Sequence, residues 1–580
     1  MTPSSAGVVD FDTLKPYAPR AFVPENMDFM DIERLKGVYQ QLLDESVHSP
    51  EDLEKWIEKR SELEAALDQF GSVLYIKMTC ATDDEDRANR YAEFIEKIVP
   101  EIKPYDDQLN RRFLGLTESI PYDKERYGLY HRAIQTDVKL FVKENIPLET
   151  QVSILSQKYQ KICGAMTVQF DGEEKTLPQM SKYLMETDRE LREKAWRATA
   201  ERRLQDKDQL EDVFSQMLKL RHQIAQNAGF DNYRDYKFKS LHRFDYTPED
   251  CKKYHESMEK LLVSVQARIL EHRREQLKVE ALRPWDTAVD PLGRKPLKPF
   301  EEVPELVGGC RKIFNQLHAT LGQQFEEMAD EGLLDLDSRK GKAPGGYQSA
   351  LSESRKPFIF MNAVGIDGDV RTLLHEAGHA FHSMACAHDP LYDYRHGPME
   401  FNEVASMAME LLAGDHLDVF YSEEDFHRSR QSHLEDIIFV LIWVAVIDAF
   451  QHWIYENPEH TPKQRREAWL SIHNRFNTGV VDWSGLEDQH AYVWHRQLHI
   501  FEVPFYYIEY GIAQLGALQV WQNAKTDQKK ALDDYLKGLS YGGAKTLPEL
   551  YTAAGIRFDF SENIIEPLVQ AVKKELPYFS

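Results

Sequence analysis

Residues 370–386 read Val370-Arg371-Thr372-Leu373-Leu374-His375-Glu376-Ala377-Gly378-His379-Ala380-Phe381-His382-Ser383-Met384-Ala385-Cys386. Leu374, Ala377, Phe381 and Met384 recur at helical spacing and form an apolar stripe, so the segment is predicted to be a buried helix. His375 and His379 are four residues apart, one turn apart on one helix face. Two imidazoles placed so can both reach one zinc ion at about 2.0–2.1 Å. Glu376 lies to the side of that pair, where it contacts a metal-bound water rather than the metal. Two histidines and a glutamate on a buried helix need partners. Gly378 costs a helix interior about 1 kcal/mol, and its missing side chain lets another element approach closely. His382 lies roughly 10 Å beyond His375 along the axis at 1.5 Å per residue. It reads as a packing or supporting histidine, not a third ligand.

Working outward, a zinc site needs a third protein ligand. Phe401-Asn402-Glu403-Val404-Ala405-Ser406 begins a second predicted helix that continues through Met407 to Leu412. Glu403 is the candidate, and Glu400 competes with it. Glu400 and Glu410 lie on the same face of this helix, and one of them is placed to orient a ligand histidine. Upstream, Gly345 to Ala350 and Pro357 to Asn362 are short extended runs with a polar turn between them, which predicts a hairpin. Asp367-Gly368-Asp369 then supplies capping oxygens for the histidine helix.

The rest of the chain is mostly amphipathic helix. Apolar residues recur at helical spacing from Met30 to Phe70, with Leu35, Val38, Tyr39, Leu42 and Leu43, and again from Asp84 to Ile102. An extended piece, Met166 to Phe170, turns at Asp171-Gly172, and a polar helix follows from about Leu177. This places a domain boundary between 173 and 188, giving an N-terminal helical domain over 1–190 and a catalytic domain over 191–580. Residues 283–300 carry four prolines and a glycine and read as an ordered loop. The longest apolar stretch, Ile437 to Phe450, is broken by Asp448; it reads as a buried helix too short to span a bilayer.

At 580 residues the chain exceeds one compact core. Its 42% hydrophobic and 29% charged residues are an ordinary globular balance. A formal net charge of -25 makes nucleic acid and anionic membranes poor partners. Cys80, Cys163, Cys251, Cys310 and Cys386 are scattered and form no CxxC pair. That pattern predicts reduced thiols in a cytoplasmic protein and no cysteine zinc site. The segment Met1 to Gly7 lacks the basic start and apolar run of a secretory signal.

Together these pieces resemble the thimet oligopeptidase and oligoendopeptidase F group of zinc peptidases. The resemblance begins at Gly345-Gly346-Tyr347, peaks over Thr372 to His382, and resumes at Phe401 to Ser406, where the group's metal-binding glutamate matches Glu403. It returns at His499-Ile500-Phe501-Glu502-Val503-Pro504-Phe505-Tyr506-Tyr507-Ile508-Glu509-Tyr510. Gly542 to Lys545 and Ala554 to Ile556 are similar to the oligoendopeptidase F branch. The resemblance implies a mainly α, two-lobed body with a deep substrate channel and one zinc ion per chain. It implies internal cleavage of short peptides, with Tyr507, Tyr510 or His499 donating to the oxyanion. Gly345, Gly346 and Tyr347 are expected to pair with the substrate backbone. The late motif departs from the thimet-type pattern, because His499 is followed by Ile500 to Pro504 with no glycine, which predicts a stiffer loop. Two other readings are a helical zinc carboxypeptidase and a non-catalytic protein with a structural zinc. The second leaves Glu376 without a purpose, since a structural site is closed by four protein ligands.

Overall fold

The computed structural model describes residues 8–579; Met1 to Gly7, where a secretory signal was not expected, lie outside them. Helix dominates, and its starts are set by local chemistry. Asp31 caps the helix Ile32–Asp44 by accepting from the Arg34 N–H. Ser49 and Asp52 form a reciprocal capping box on the helix Pro50–Thr79, with Pro50 in its first turn. The helical spacing from Met30 to Phe70 is therefore two helices, interrupted where a cap and a proline begin a new one. Leu35, Val38, Tyr39 and Leu42 pack with Trp56, Ile57, Leu109 and Phe113 in one core cluster.

The chain forms two compact units that interleave along the sequence. The first comprises the described residues up to Lys139 with Leu297–Arg430 and Ala513–Phe558; the second comprises Leu140–Pro296, Gln431–Ile512 and the described residues from Asp559. Residue 190 falls inside the second unit.

In the first unit, β3 (Leu334–Asp337), β4 (Tyr347–Leu351) and β5 (Lys356–Ala363) form a sheet in the order β3-β5-β4. β4 and β5 are the expected hairpin, in register from Tyr347↔Phe360 to Leu351↔Lys356. Gly345 and Gly346 precede the strand rather than lie within it. Phe358, Ile359, Phe360 and Met361 are buried, as befits a central strand covered on both faces. The helix Asp367–Ala385 packs on β5 and β4, and the helix Met399–Gly414 packs on that helix.

In the second unit, β1 (Thr167–Phe170) and β2 (Glu173–Thr176) form a hairpin. Its two-residue turn has φ of 55° at Asp171 and 78° at Gly172, the left-handed pair such turns require. The loop at 283–300 is anchored by Asp286, which is fully buried and paired with Arg189 and Arg192. The apolar stretch at 437–450 belongs to the helix Glu423–Glu456, which is 34 residues long. The expected shortness is corrected: this helix is long and apolar enough to cross a membrane, but 78% of its apolar window is buried inside the protein.

Candidate active site

Asp369 starts the histidine helix. Its Oδ2 accepts from the backbone N–H groups of Val364, Gly365 and Ile366 at 2.7, 2.8 and 3.0 Å. Asp367 in the same turn accepts from the Tyr421 hydroxyl at 2.6 Å and the Ser429 hydroxyl at 2.5 Å. The helix is thereby fixed at its start, about two turns before His375.

Gly378 then decides how near the second helix comes. A Cβ there would lie 2.6 Å from both the Ala405 carbonyl oxygen and the Ser406 Cα. Only a bare glycine permits this approach, and the Tyr535 hydroxyl reinforces it by donating to the Ala405 carbonyl at 2.7 Å. The close crossing brings Glu403 to the histidines. One carboxylate oxygen, Oε2, lies 3.5 Å from His375 Nε2 and 3.6 Å from His379 Nε2. These three groups could hold one metal ion, their ligand atoms lying within 4.8 Å of one another. Ligands about a tetrahedral ion at 2.0–2.1 Å sit about 3.3 Å apart, so the spacing suits zinc. Glu400 is buried on the same helix but does not join this cluster.

Each histidine is also held on a second side. His375 Nδ1 donates to Glu410 Oε1 at 2.7 Å, and His379 hydrogen-bonds the Asn402 backbone. Of the two glutamates flanking Glu403, Glu410 is the one that orients a histidine. The Ser406 hydroxyl donates to Glu403 Oε2 at 3.1 Å. Burial alone would push His375 down, but Glu410 and Glu403 outweigh it and hold the imidazole up at about 9. Burial and the neighbouring His375 push His379 well down. Burial raises Glu376 to about 7, and the Glu403 charge adds to that. Three carboxylates and two imidazoles gathered this closely favour a shared cation, which is the chemistry of a metal-binding donor set.

Glu376 also accepts from the Gln348 backbone N–H on β4. A backbone contact leaves no mark in side-chain identity, so the sequence carries no signal for it. β4 is an edge strand beside the histidine helix. Tyr347 itself stacks on Phe360 with ring centroids 4.7 Å apart, and its hydroxyl lies 2.6 Å from Thr79 Oγ1. His382 is buried next to Gly397 and Phe401 and is not among the clustered ligands.

With this geometry in place, comparison with known proteins decides the family. The profile described as Peptidase family M3 matches residues 182–569, well over half of the chain, and the Peptidase M3 N-terminal domain matches 22–141. The chain belongs to peptidase family M3. A solved structure titled PZ peptidase A with inhibitor 2 is similar at 28% identity and a TM-score of 0.87, covering 98% of this chain and 100% of that one. An oligoendopeptidase F homolog from Borreliella burgdorferi is 26% identical over 41% of each chain. Oligopeptidase PepF of Bacillus subtilis is 25% identical over 42% of this chain and 37% of its own. The chain thus spans about two fifths of the length of these curated relatives. The mainly α fold of this M3 member agrees with its solved neighbours.

The late motif of this M3 chain lies in the second unit and gathers with itself. His499 has ring centroids 4.8 Å from Tyr507 and 5.9 Å from Tyr510. Burial pushes the His499 imidazole down to about 4 and the Tyr507 phenol up. The glycine-free loop is pinned. Phe505 has φ of 65°, its N–H donates to Gln451 at 2.8 Å, and its carbonyl accepts from Arg243, which pairs with Glu509 at 2.7 Å. A non-glycine residue in that conformation persists where its surroundings hold it.

Proposed function

We propose that this chain is a zinc-dependent endopeptidase acting on internal bonds of short peptides in the cytoplasm. The carrying observation is the single Glu403 oxygen equidistant from His375 and His379, with Glu376 on the same helix turn. Family M3 is generally zinc-dependent, and its named relatives are oligopeptidases. The five cysteines form no disulfide, which supports a reducing compartment.

His375, His379 and Glu403 hold one zinc ion; Glu410 and the Asn402 backbone set the ring orientations. Bound zinc supplies Lewis acidity, polarising a carbonyl oxygen and lowering the pKa of water towards about 7. Glu376 takes a proton from the attacking water and passes it to the departing amine. The edge of β4, entered through Gly345 and Gly346, pairs with substrate backbone and so accepts many sequences. Gly345 has φ of 98° and open space where a side chain would stand. The family resemblance assigns Tyr507, Tyr510 or His499 to the developing oxyanion; loss of one such donor costs about 10²–10³ in rate.

Mass spectrometry of products from a mixed peptide set tests the reading. Internal fragments, abolished by chelation and restored by zinc, are expected. Release of single C-terminal residues alone would make it a carboxypeptidase, and full cleavage by metal-free protein would refute the zinc assignment.

A further inference from the structure

A second group of ligand-type side chains lies inside the second unit. Cys251 and His255 are four residues apart on the helix Pro248–Leu277, and Asp448 and His452 are four apart on the helix Glu423–Glu456. Each pair occupies one helix face, the same spacing that aligns His375 with His379. The ligand atoms of Cys251, Asp448 and His452 all lie within 4.8 Å of one another. Cys251 and Asp448 are fully buried, and His452 is 3% exposed.

The hydrogen bonding of Asp448 and His452 is incomplete. His452 Nε2 lies 3.2 Å from Asp448 Oδ2, yet neither ring nitrogen of His452 makes a hydrogen bond, and Asp448 Oδ1 makes none. Atoms so close without being aligned on each other are what ligands of one ion look like. The rings of Phe505 and Phe238 stand 5.4 and 6.1 Å from His452 and keep the place dry. A purely hydrogen-bonded core would leave a buried imidazole with both nitrogens unsatisfied, which buried polar groups rarely tolerate. His255 Nε2 meets Asp448 Oδ2 at 2.8 Å. It stands to Asp448 as Glu410 stands to His375, an outer partner that holds a ligand in place.

We propose that Cys251, Asp448 and His452 bind a second zinc ion that ties these two helices together, with His255 orienting Asp448. One thiolate, one carboxylate and one imidazole suit zinc among the available metals. The two anionic ligands balance the charge of Zn²⁺. On binding, a Zn–S bond forms and the Cys251 thiol proton leaves to solvent, with no oxidation or reduction. Burial keeps peptide substrates away from the ion, whose part is to join the two helices. The sequence reading expected no cysteine zinc site because no CxxC pair exists; the sulfur here instead joins ligands from a distant helix.

Cobalt substitution of the full chain tests this without any variant. The His375, His379 and Glu403 site contains no sulfur, so a sulfur-to-cobalt charge-transfer absorption can arise only where a cysteine binds. That band is expected in the parent, together with two zinc ions per chain by elemental analysis. The double variant His379→Ala with Glu403→Ala should keep one zinc and the band. Cys251→Ser should lose one zinc and the band while peptide hydrolysis persists. His255→Gln should weaken the second zinc by about 10–100-fold. One zinc per chain with no sulfur band overturns this proposal and leaves the endopeptidase reading intact. A sulfur band in a chain whose only zinc survives the double variant would overturn the active-site assignment instead.

Discussion

Replacing Gly378 with alanine is the sharpest test of how the two site helices meet. In an exposed helix interior this change stabilises by about 0.8–1.0 kcal/mol. Here the new Cβ would stand 2.6 Å from the Ala405 carbonyl oxygen and 2.6 Å from the Ser406 Cα, both backbone atoms that cannot rotate away. Restoring carbon contacts of about 3.5–4.0 Å requires the helices to part by about 1 Å. Overpacking of this kind costs about 1–3 kcal/mol, so the gain in propensity is cancelled or reversed. Glu403 lies on the displaced helix, two residues before Ala405. Zinc–ligand distances tolerate only about 0.2 Å, so the metal site should suffer more than the fold. The expected result is at least about 10-fold weaker zinc binding, at the low end of what losing a supporting contact costs. Chelator competition measures the affinity, and thermal unfolding with and without chelator measures stability. Gly37→Ala is the control, since nothing lies within 4 Å of its Cβ position in the helix Ile32–Asp44. It should raise stability and leave zinc unchanged. If Gly378→Ala behaves like Gly37→Ala, the close crossing is not what sets the site.

Glu376→Gln should keep the parent's active-site zinc and lose nearly all turnover, whereas Glu403→Ala should lose that zinc and recover partly in excess metal; zinc content beside kcat separates them. If Glu403→Ala binds zinc like the parent, the third ligand lies elsewhere and Glu400→Ala is the next variant. Glu410→Gln should keep the fold and weaken zinc binding by about 10–100-fold by releasing His375; unchanged affinity in chelator competition would deny Glu410 its role. Asp335 concerns stability. Burial raises its carboxyl, but hydrogen bonds from Arg339, Cys80 and Lys342 bring it down to about 2 from an ordinary 3.8. A depressed carboxyl contributes fully above its unfolded value, so this share of stability should be complete above pH 3.8 and fall as pH drops towards 2. Asp335→Asn removes the negative charge that pairs with the buried Lys342 ammonium and should cost about 3 kcal/mol, the low end for breaking a buried pair; a denaturant midpoint equal to the parent's would contradict it.

Local spacing carried the histidine helix, the Glu403 helix, the hairpin before them and the meaning of Gly378 as a place of close approach. These features repeat within four residues, because helix and strand periodicity set which side chains share a face. The choice of Glu403 over Glu400 rested on resemblance, and the spacing left Glu400 and Glu410 equal as partners for a histidine. Only the crossing of two helices placed Glu403 Oε2 between the rings and Glu410 against His375 Nδ1. The interleaved units were likewise invisible, because segments far apart in sequence share each core. Cys251 and His452 show the same limit, for their helices lie about two hundred positions apart in the chain. Sequence determined which faces carry ligand-type side chains, since that depends on the backbone repeat alone. Tertiary structure decided which faces meet, since that depends on how whole helices pack, ridge into groove, and no short-range pattern records it.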